Sequence, residues 1–258
     1  LRARPGYVQH ARAIATGRPA LYRLKGRETM SGQITGISSM ATRQVLAELV
    51  EEYGRLSARL VAIESVGGVA AARRVQEGEP FDIVVLAADA LDPLAAAGRI
   101  DPASRVDLVR SGVAIAVAAG APRPEIGTEA ALRDAILAAR SIGYSTGPSG
   151  SHLSRLFEHW GIAKTIAPHI VQAPPGIPVG ALVARGDVEL GFQQLSELMH
   201  LPGIDVVGSL PPEVQIITTF AAAICTASRQ RDASRALLSF LASPATAPTK
   251  LRHGMEPA

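Results

Sequence analysis

The chain has 258 residues, 47% of them hydrophobic, which is enough for one large domain or for two modest lobes. Its only cysteine, Cys225, lies in an apolar run, so an intrachain disulfide and a cysteine-based metal site are excluded. The formal net charge is +3, but residues 1–29 hold seven Lys/Arg and one Glu. Residues 30–258 are therefore mildly acidic, and they lack the basic stripe that indicates a nucleic-acid partner.

The first 29 residues show no regular apolar periodicity, and Met30 stands directly before the first convincing strand. We predict a disordered extension over 1–29. A targeting peptide is the alternative, although charged and small residues interrupt the apolar stretch at 11–20 that would serve as the core of a secretory signal. If Met30 is the true start, a cytoplasmic protein is expected. The chain has no run of 18 apolar residues, so no membrane insertion is expected.

From residue 34 onward, short apolar runs alternate with amphipathic runs, a pattern typical of an α/β fold with a mostly parallel sheet. The first three pairs predict strands at 34–37, 60–63 and 82–86, and helices at 40–53, 70–76 and 89–97. The next β-rich segment, 106–118, is longer than an ordinary strand and is interrupted by Arg110-Ser111-Gly112. Its length predicts a crossing between two lobes.

The second half of the chain repeats the alternation. It predicts strands at 141–145, 170–172, 190–194 and 206–207, and helices at 128–139, 153–160, 179–185 and 231–241. A second long β-type run, 214–226, could carry the chain back to the first lobe. The predicted domains are therefore 30–112 plus 214–258 for one lobe and 113–213 for the other. A two-strand hinge joins them, and a cleft lies between them.

Three turns share one arrangement, in which a strand leads through Ser or Gly residues into a helix. They are Ser38-Ser39, Gly67-Gly68, and the segment from Ser145 through Ser149 and Gly150. The first turn of a helix has backbone N–H groups without intrahelical partners, and these groups favour an anion. Together the three turns predict one anion-binding pocket.

Four motifs, in this order and spacing, resemble the bacterial solute-binding proteins of ABC transporters, specifically their molybdate-binding-like branch. The resemblance covers about residues 33 to 257. The four motifs are Gly36-Ile37-Ser38-Ser39-Met40, the segment 77–85 with Ala88-Asp89, Gly147-Pro148-Ser149-Gly150, and the segment 184–192.

The resemblance implies a two-lobed periplasmic-binding-protein-like fold of type II, with a mixed sheet flanked by helices in each lobe. It implies capture of a small anion in the cleft for ABC-type transport, a periplasmic location and an ABC permease as partner. We expect a monomer that needs no cofactor and holds no metal, because no histidine has carboxylates at ligand spacing.

In that family, serine hydroxyls and backbone N–H groups hold the anion, which implies roles for Ser39, Ser149 and Gly176. The chain departs from molybdate binders at Gly67-Gly68, which replaces a serine run, and at Gln193-Gln194, which replaces a tyrosine. Glutamine adds an acceptor and glycine leaves room, so an organic carboxylate is favoured over molybdate. The full set of candidate ligand-binding residues is Ser38, Ser39, Arg43, Gly67, Gly68, Arg110, Tyr144, Ser145, Ser149, Gly150, Gly176, Gln193 and Gln194.

The same branch includes aconitate isomerase, which supplies an enzymatic alternative. A cis-trans isomerase acting on an unsaturated tricarboxylate needs a general base beside the substrate and donors for the charge that develops on a carboxylate. The candidate bases are His152, Glu64 and Tyr144.

Overall fold

The computed structural model describes residues 32–174 and 176–258, so the predicted extension over 1–29 and the alternative start at Met30 lie outside the described residues. The strands are β1 (Ile34–Ser39), β2 (Val61–Val66), β3 (Ile83–Ala87), β4 (Val106–Ala118), β5 (Ile142–Tyr144), β6 (Ile170–Gln172), β7 (Leu190–Gln194), β8 (Ile204–Ser209), β9 (Ile217–Ile224) and β10 (Glu256–Pro257). The helices are α1 (Arg43–Ser57), α2 (Gly68–Gln76), α3 (Ala88–Ala96), α4 (Glu129–Ala138), α5 (Pro148–His159), α6 (Ala163–Ile166), α7 (Val179–Ala184), α8 (Leu195–Leu198), α9 (Arg231–Leu241) and α10 (Ala247–Arg252).

The strands follow the order β2-β1-β3-β9-β4-β7-β5-β6, and β8 and β10 both pair with β4. β1 is parallel to β2 and β3, and β5 is parallel to β6 and β7. β9 and β4 are antiparallel to their neighbours, so both halves of the sheet are mixed. The carboxyl ends of the parallel strands are where ligands bind in open α/β sheets.

The long strand β4 belongs to both halves of the sheet. Its residues 106–112 pair with β9, whereas residues 113–118 pair with β7 and β8. Helices α1 and α9 pack against the first half, and α4, α5 and α6 pack against the second, around separate apolar clusters. We call these halves the first lobe and the second lobe; the residue boundaries given above stay a prediction.

The core of the first lobe explains why its strands form where they do. All five residues of β3 are buried, as expected of a continuous apolar run covered on both faces. β1 approaches β3 closely because Gly36 has no side chain: a Cβ there would lie 2.8 Å from Cγ1 of Ile83.

The starts of two elements near the site differ from the sequence-based expectation. Helix α5 begins at Pro148 rather than 153, because proline fits the first helical position and the Gly/Ser residues that follow occupy the first turn. The return crossing is also shorter than predicted: β9 begins at Ile217, after the 3-10 turn Pro212–Val214. Between them, the side chain of Gln215 accepts hydrogen bonds from the amides of Val113 and Ile216 and fixes the crossing.

Among the described helices, none has both the length and the apolar character that a membrane crossing requires.

Candidate functional site

The first wall of the candidate site is the turn at the carboxyl end of β1. Ser39 precedes the 3-10 turn Met40–Thr42, but its side chain makes no capping hydrogen bond. The residue is 7% exposed, and its Oγ has no partner among the described residues. Ser38 differs, because its Oγ lies 2.7 Å from Oγ of Ser65. The free hydroxyl of this turn is therefore that of Ser39.

The two glycines of the second turn lie where the two lobes approach each other. A Cβ on Gly68 would lie 3.7 Å from Cβ of Ser39, and a Cβ on Gly67 would lie 4.0 Å from the amide nitrogen of Gly176 in the second lobe. Ser39, Gly67, Gly68 and Gly176 thus surround one region. A side chain at either glycine would reduce the space between these backbones.

The third turn is the start of α5. A Cβ on Gly150 would lie 1.7 Å from the carbonyl oxygen of Ser145, so only glycine allows the chain to fold back this tightly. The Oγ of Ser145 accepts a hydrogen bond from the amide of Gly147 at 3.4 Å. Ser149 is buried in the first helical turn, where backbone N–H groups have no intrahelical acceptor.

Gln193 and Gln194 end β7 with opposite roles. Nε2 of Gln194 donates to Oγ1 of Thr218 in β9 at 2.9 Å, whereas its Oε1 is buried and has no partner within 32–174 and 176–258. Both functional atoms of Gln193 are used: Oε1 accepts from the amide of Gly180 at 3.3 Å, and Nε2 donates to Oε1 of Glu197 at 2.7 Å. Gln194 therefore offers a free acceptor, and Gln193 organises its surroundings.

Glu197 is the group that sequence reasoning missed. It lies in the first turn of α8, where an acidic residue is common and carries no special signal. Although the residue is only partly buried, desolvation raises the pKa of its carboxyl to about 7, against a smaller opposing effect of the hydrogen bond from Gln193. The apolar residues around it in the sequence, Leu195 and Leu198, are the only hint of this burial.

The two arginine candidates lie in different settings. Arg43 is exposed and, together with Leu46, Ile63 and Ser65, lines a groove of about 390 Å³ between α1 and β2. Arg110 is also exposed, but its Nη2 donates to the carbonyl of Pro257 at 3.0 Å. Only Arg43 lies beside the Ser38–Ser65 hydroxyl pair.

The three candidate bases differ in their hydrogen bonds and contacts. Both carboxylate oxygens of Glu64 accept hydrogen bonds from Arg74, at 2.7 and 2.9 Å, which lowers the pKa of that carboxyl. Tyr144 stacks edge-on against Phe157, with ring centroids 6.1 Å apart. His152 lies in α5, three residues after Ser149, and its Nδ1 is buried without a partner in the described part of the chain.

A direct link between the lobes adjoins this site. Oγ of Ser196 in α8 donates to the carbonyl of Ala41 in the 3-10 turn at 2.9 Å, and the bond is buried. Across the described residues, no group of three or more His, Cys, Asp or Glu side chains is placed to hold a metal ion.

Comparisons of the sequence with known proteins found a matching family and a relative. The model of a family described as bacterial extracellular solute-binding protein matches residues 34–256. An aconitate isomerase from Pseudomonas sp. is 39% identical over 221 residues, which is 84% of this chain and 84% of that protein.

Solved structures share the fold at low sequence identity. The periplasmic molybdate-binding protein of Azotobacter vinelandii has a TM-score of 0.72 and 18% identity, over 86% of this chain and 98% of that one. The sulfate-binding protein SubI of Mycobacterium tuberculosis has a TM-score of 0.71 and 14% identity, over 88% and 87%. These likenesses confirm the predicted α/β, two-lobed binding-protein fold.

Proposed function

Because this chain belongs to the family of bacterial extracellular solute-binding proteins, we propose that it captures a small organic carboxylate, rather than molybdate, in the cleft between its lobes. Membership confirms the resemblance that the sequence motifs carry, and it makes anion binding the function class. The choice of a carboxylate depends on the chemistry of the cleft.

The observation that carries this choice is the buried carboxamide of Gln194. Its Nε2 is engaged by Thr218, so the atom left for a ligand is an acceptor oxygen, in a residue that is 3% exposed. A fully ionised tetrahedral oxyanion has no hydrogen to give to this oxygen, whereas an organic acid can offer a hydroxyl or a protonated carboxyl group. An unpaired buried acceptor is unfavourable, so a ligand that pairs it gains affinity.

The other groups of the cleft complement such a ligand. In this proposal the hydroxyl of Ser39 and the first-turn amides at Ser149 and Gly150 donate to carboxylate oxygens of the ligand. The bare backbone at Gly67 leaves room for a molecule larger than an inorganic oxyanion. In this proposal Arg43 pairs with a further carboxylate from the adjoining groove.

Calorimetric titration with molybdate, sulfate, citrate, tricarballylate and trans-aconitate tests the proposal. We expect heat of binding from at least one tricarboxylate and none from molybdate. A Gln194→Leu variant should lose most of its preference for the carboxylate, since it removes the acceptor. Tight binding of molybdate without binding of any carboxylate would overturn the proposal.

A second candidate function is isomerisation of aconitate, favoured by the 39% identical relative of that name. The reaction removes a proton from the methylene carbon, shifts the double bond along the allylic unit and returns the proton to the carbon at its other end. His152 is the candidate base, because its Nδ1 is buried and unpartnered near the start of α5. The paired carboxylate of Glu64 is poorly suited to this role.

Ultraviolet absorbance of cis-aconitate incubated with the protein tests this candidate, with the trans product identified by chromatography. Turnover that His152→Gln abolishes and His159→Gln preserves would support it. His159 is the matched control because it is exposed on the same helix. Binding of aconitate without any turnover would exclude the enzyme and leave the binding protein.

As a binding protein, the chain would act as a periplasmic monomer that delivers its ligand to an ABC permease, in keeping with its family. Fractionation of the native cells, with mass spectrometry of the N-terminus, tests export. Recovery of the protein in the cytoplasm with an unprocessed N-terminus would contradict it.

A further inference from the structure

Glu197 is held in a hydrogen-bonded relay that leads to the start of α7. The amide of Gly180, in the first turn of α7, donates to Oε1 of Gln193 at 3.3 Å, and Nε2 of Gln193 donates to Oε1 of Glu197 at 2.7 Å. The amide of Gly180 and the carboxamide of Gln193 carry no charge, so this relay can hold the carboxyl group of Glu197 whether it is protonated or ionised.

The relay adjoins the cleft on two sides. Ser196, the residue before Glu197, donates to the carbonyl of Ala41, two residues after Ser39. Helix α7 follows Gly176, whose amide faces Gly67 of the first lobe. The carboxyl of Glu197 therefore lies behind the surfaces that close on a ligand.

No charged side chain of the described residues forms an ion pair with Glu197. β7, α7 and the 3-10 turn Met40–Thr42, which pack around α8, carry no titratable group. The titratable and charged side chains that follow α8 or lie on the other neighbouring elements are His200, whose ring lies 5.3 Å from that of His253, Asp107 and Arg110 in β4, Asp205 in β8, and Lys250, Arg252, His253 and Glu256 near the C-terminus.

Several of these neighbours are engaged elsewhere, and none forms a hydrogen bond or an ion pair with Glu197. Asp205 accepts from the amide of Gly120, Arg110 donates to Pro257, and His253 bonds to Glu48. Burial is the larger influence on the pKa of Glu197 and raises it to about 7, so near neutral pH the carboxyl is divided between its two forms. A nearby negative charge favours the protonated form further.

We propose that Glu197 couples anion capture to proton uptake: a carboxylate entering the cleft is bound while Glu197 is neutral. The inference rests on the proposed capture of a carboxylate. Ionised Glu197 repels the ligand across a poorly solvated region, whereas the neutral carboxyl does not. At an effective dielectric constant of about 20, a unit negative charge about 10 Å away strengthens proton binding by about tenfold.

Proton uptake on binding is measured by calorimetry in buffers of different ionisation enthalpy. The probe is citrate at pH 7 to 9, where its carboxyl groups are largely ionised and its hydroxyl can still donate to Oε1 of Gln194. We expect wild-type protein to take up about half a proton or more near pH 8, and its Kd to rise about tenfold from pH 7 to pH 9. Glu197→Gln should take up none and should bind with a Kd that changes little with pH.

Glu158→Gln is the matched control, because it removes an exposed carboxylate from α5 in the same lobe and should leave proton uptake unchanged. Binding with no proton uptake in wild-type protein would overturn this inference alone, even if Glu197→Gln fails to fold. Equal uptake by wild type and a folded Glu197→Gln would also overturn it. If none of the tested carboxylates binds, both the proposed function and this inference fail.

Discussion

Ser38 and Ser39 are neighbours in the chain, yet their hydroxyl groups have opposite surroundings. The hydroxyl of Ser38 pairs with Ser65, and that of Ser39 is buried without a partner. A buried polar group without a partner is unfavourable in the free protein, and a ligand that pairs it relieves this. The same reasoning applies to Oε1 of Gln194 on the facing lobe.

Ser39→Ala should weaken binding of citrate about tenfold, because one hydrogen bond to a charged ligand contributes about 1.5 kcal/mol. The free variant should be as stable as wild type, since no hydrogen bond within the described residues is lost. Calorimetry measures the affinity and urea unfolding the stability. Ser239→Ala, at an exposed position of α9, is the control and should change neither. Unaltered affinity in Ser39→Ala would remove Ser39 from the site.

Glu197 makes stability depend on pH with a definite sign. Its pKa is raised from 4.5 to about 7 in the folded protein, so the neutral carboxyl favours the folded state. This contribution is complete below about pH 4.5 and is lost as pH rises to about 7, a total of about 3 kcal/mol. Glu197→Gln should therefore gain stability relative to wild type between pH 5 and pH 8.

Urea unfolding of both proteins at pH 5, 6, 7 and 8 measures the difference between their free energies of unfolding. The other titrating groups are the same in both proteins, so their contributions cancel in this difference. Glu158→Gln should show a difference that stays constant with pH. If the stability difference between Glu197→Gln and wild type is also constant with pH, the carboxyl of Glu197 in wild-type protein ionises as it does in water.

Sequence reasoning reached part of the site because position along a strand can be read from a chain. Ser39 and Gly67 were found because each lies at or directly after the carboxyl end of a strand, whereas Gly176 was named from the family resemblance. Burial of one carboxyl by distant elements cannot be read this way, so Glu197 was missed. Glu64 was named as a base, and only the folded chain brings it against Arg74, ten residues away.

At the scale of elements, the alternation of apolar and amphipathic runs predicted most strands and helices, and short elements such as α6, α8 and β10 escaped it. Four residues of helix or two of strand are too few to show a period. The start of α5 was placed five residues late, because Gly and Ser by themselves indicate a turn, whereas proline at the first helical position allows the helix to begin there.

Phe157 joins α5 to the sheet of the second lobe. It is 2% exposed, and its ring lies 6.1 Å from Tyr144 and 6.3 Å from Phe192. Phe157→Ala should lower the free energy of unfolding by about 3–5 kcal/mol, because it leaves a cavity between helix and strands. Urea unfolding measures this loss. The control is Leu137→Ala in the same lobe, where the side chain is 42% exposed, and it should lower the free energy of unfolding by less than about 1 kcal/mol. A comparable loss in both variants would contradict the assigned packing.

At the scale of the whole molecule, the bond from Ser196 to Ala41 joins the lobes beside the cleft. Ser196→Ala should favour an open arrangement, because closure then leaves the carbonyl of Ala41 unpaired. We expect a larger radius of gyration by X-ray scattering in the free variant, and a several-fold higher Kd for citrate. Ser209→Ala, at an exposed site on β8, should match wild type. An unchanged radius and affinity would show that the bond does not control opening.

The place of β9 between β3 and β4 has a consequence for how the protein is made. A growing chain that ends before residue 217 can already pair every strand of the second lobe, but it leaves a gap at the centre of the first sheet. The unpaired edges of β3 and β4 would then be open to other chains. The first sheet can therefore close only after β9 has been made, so the second lobe can form before the first.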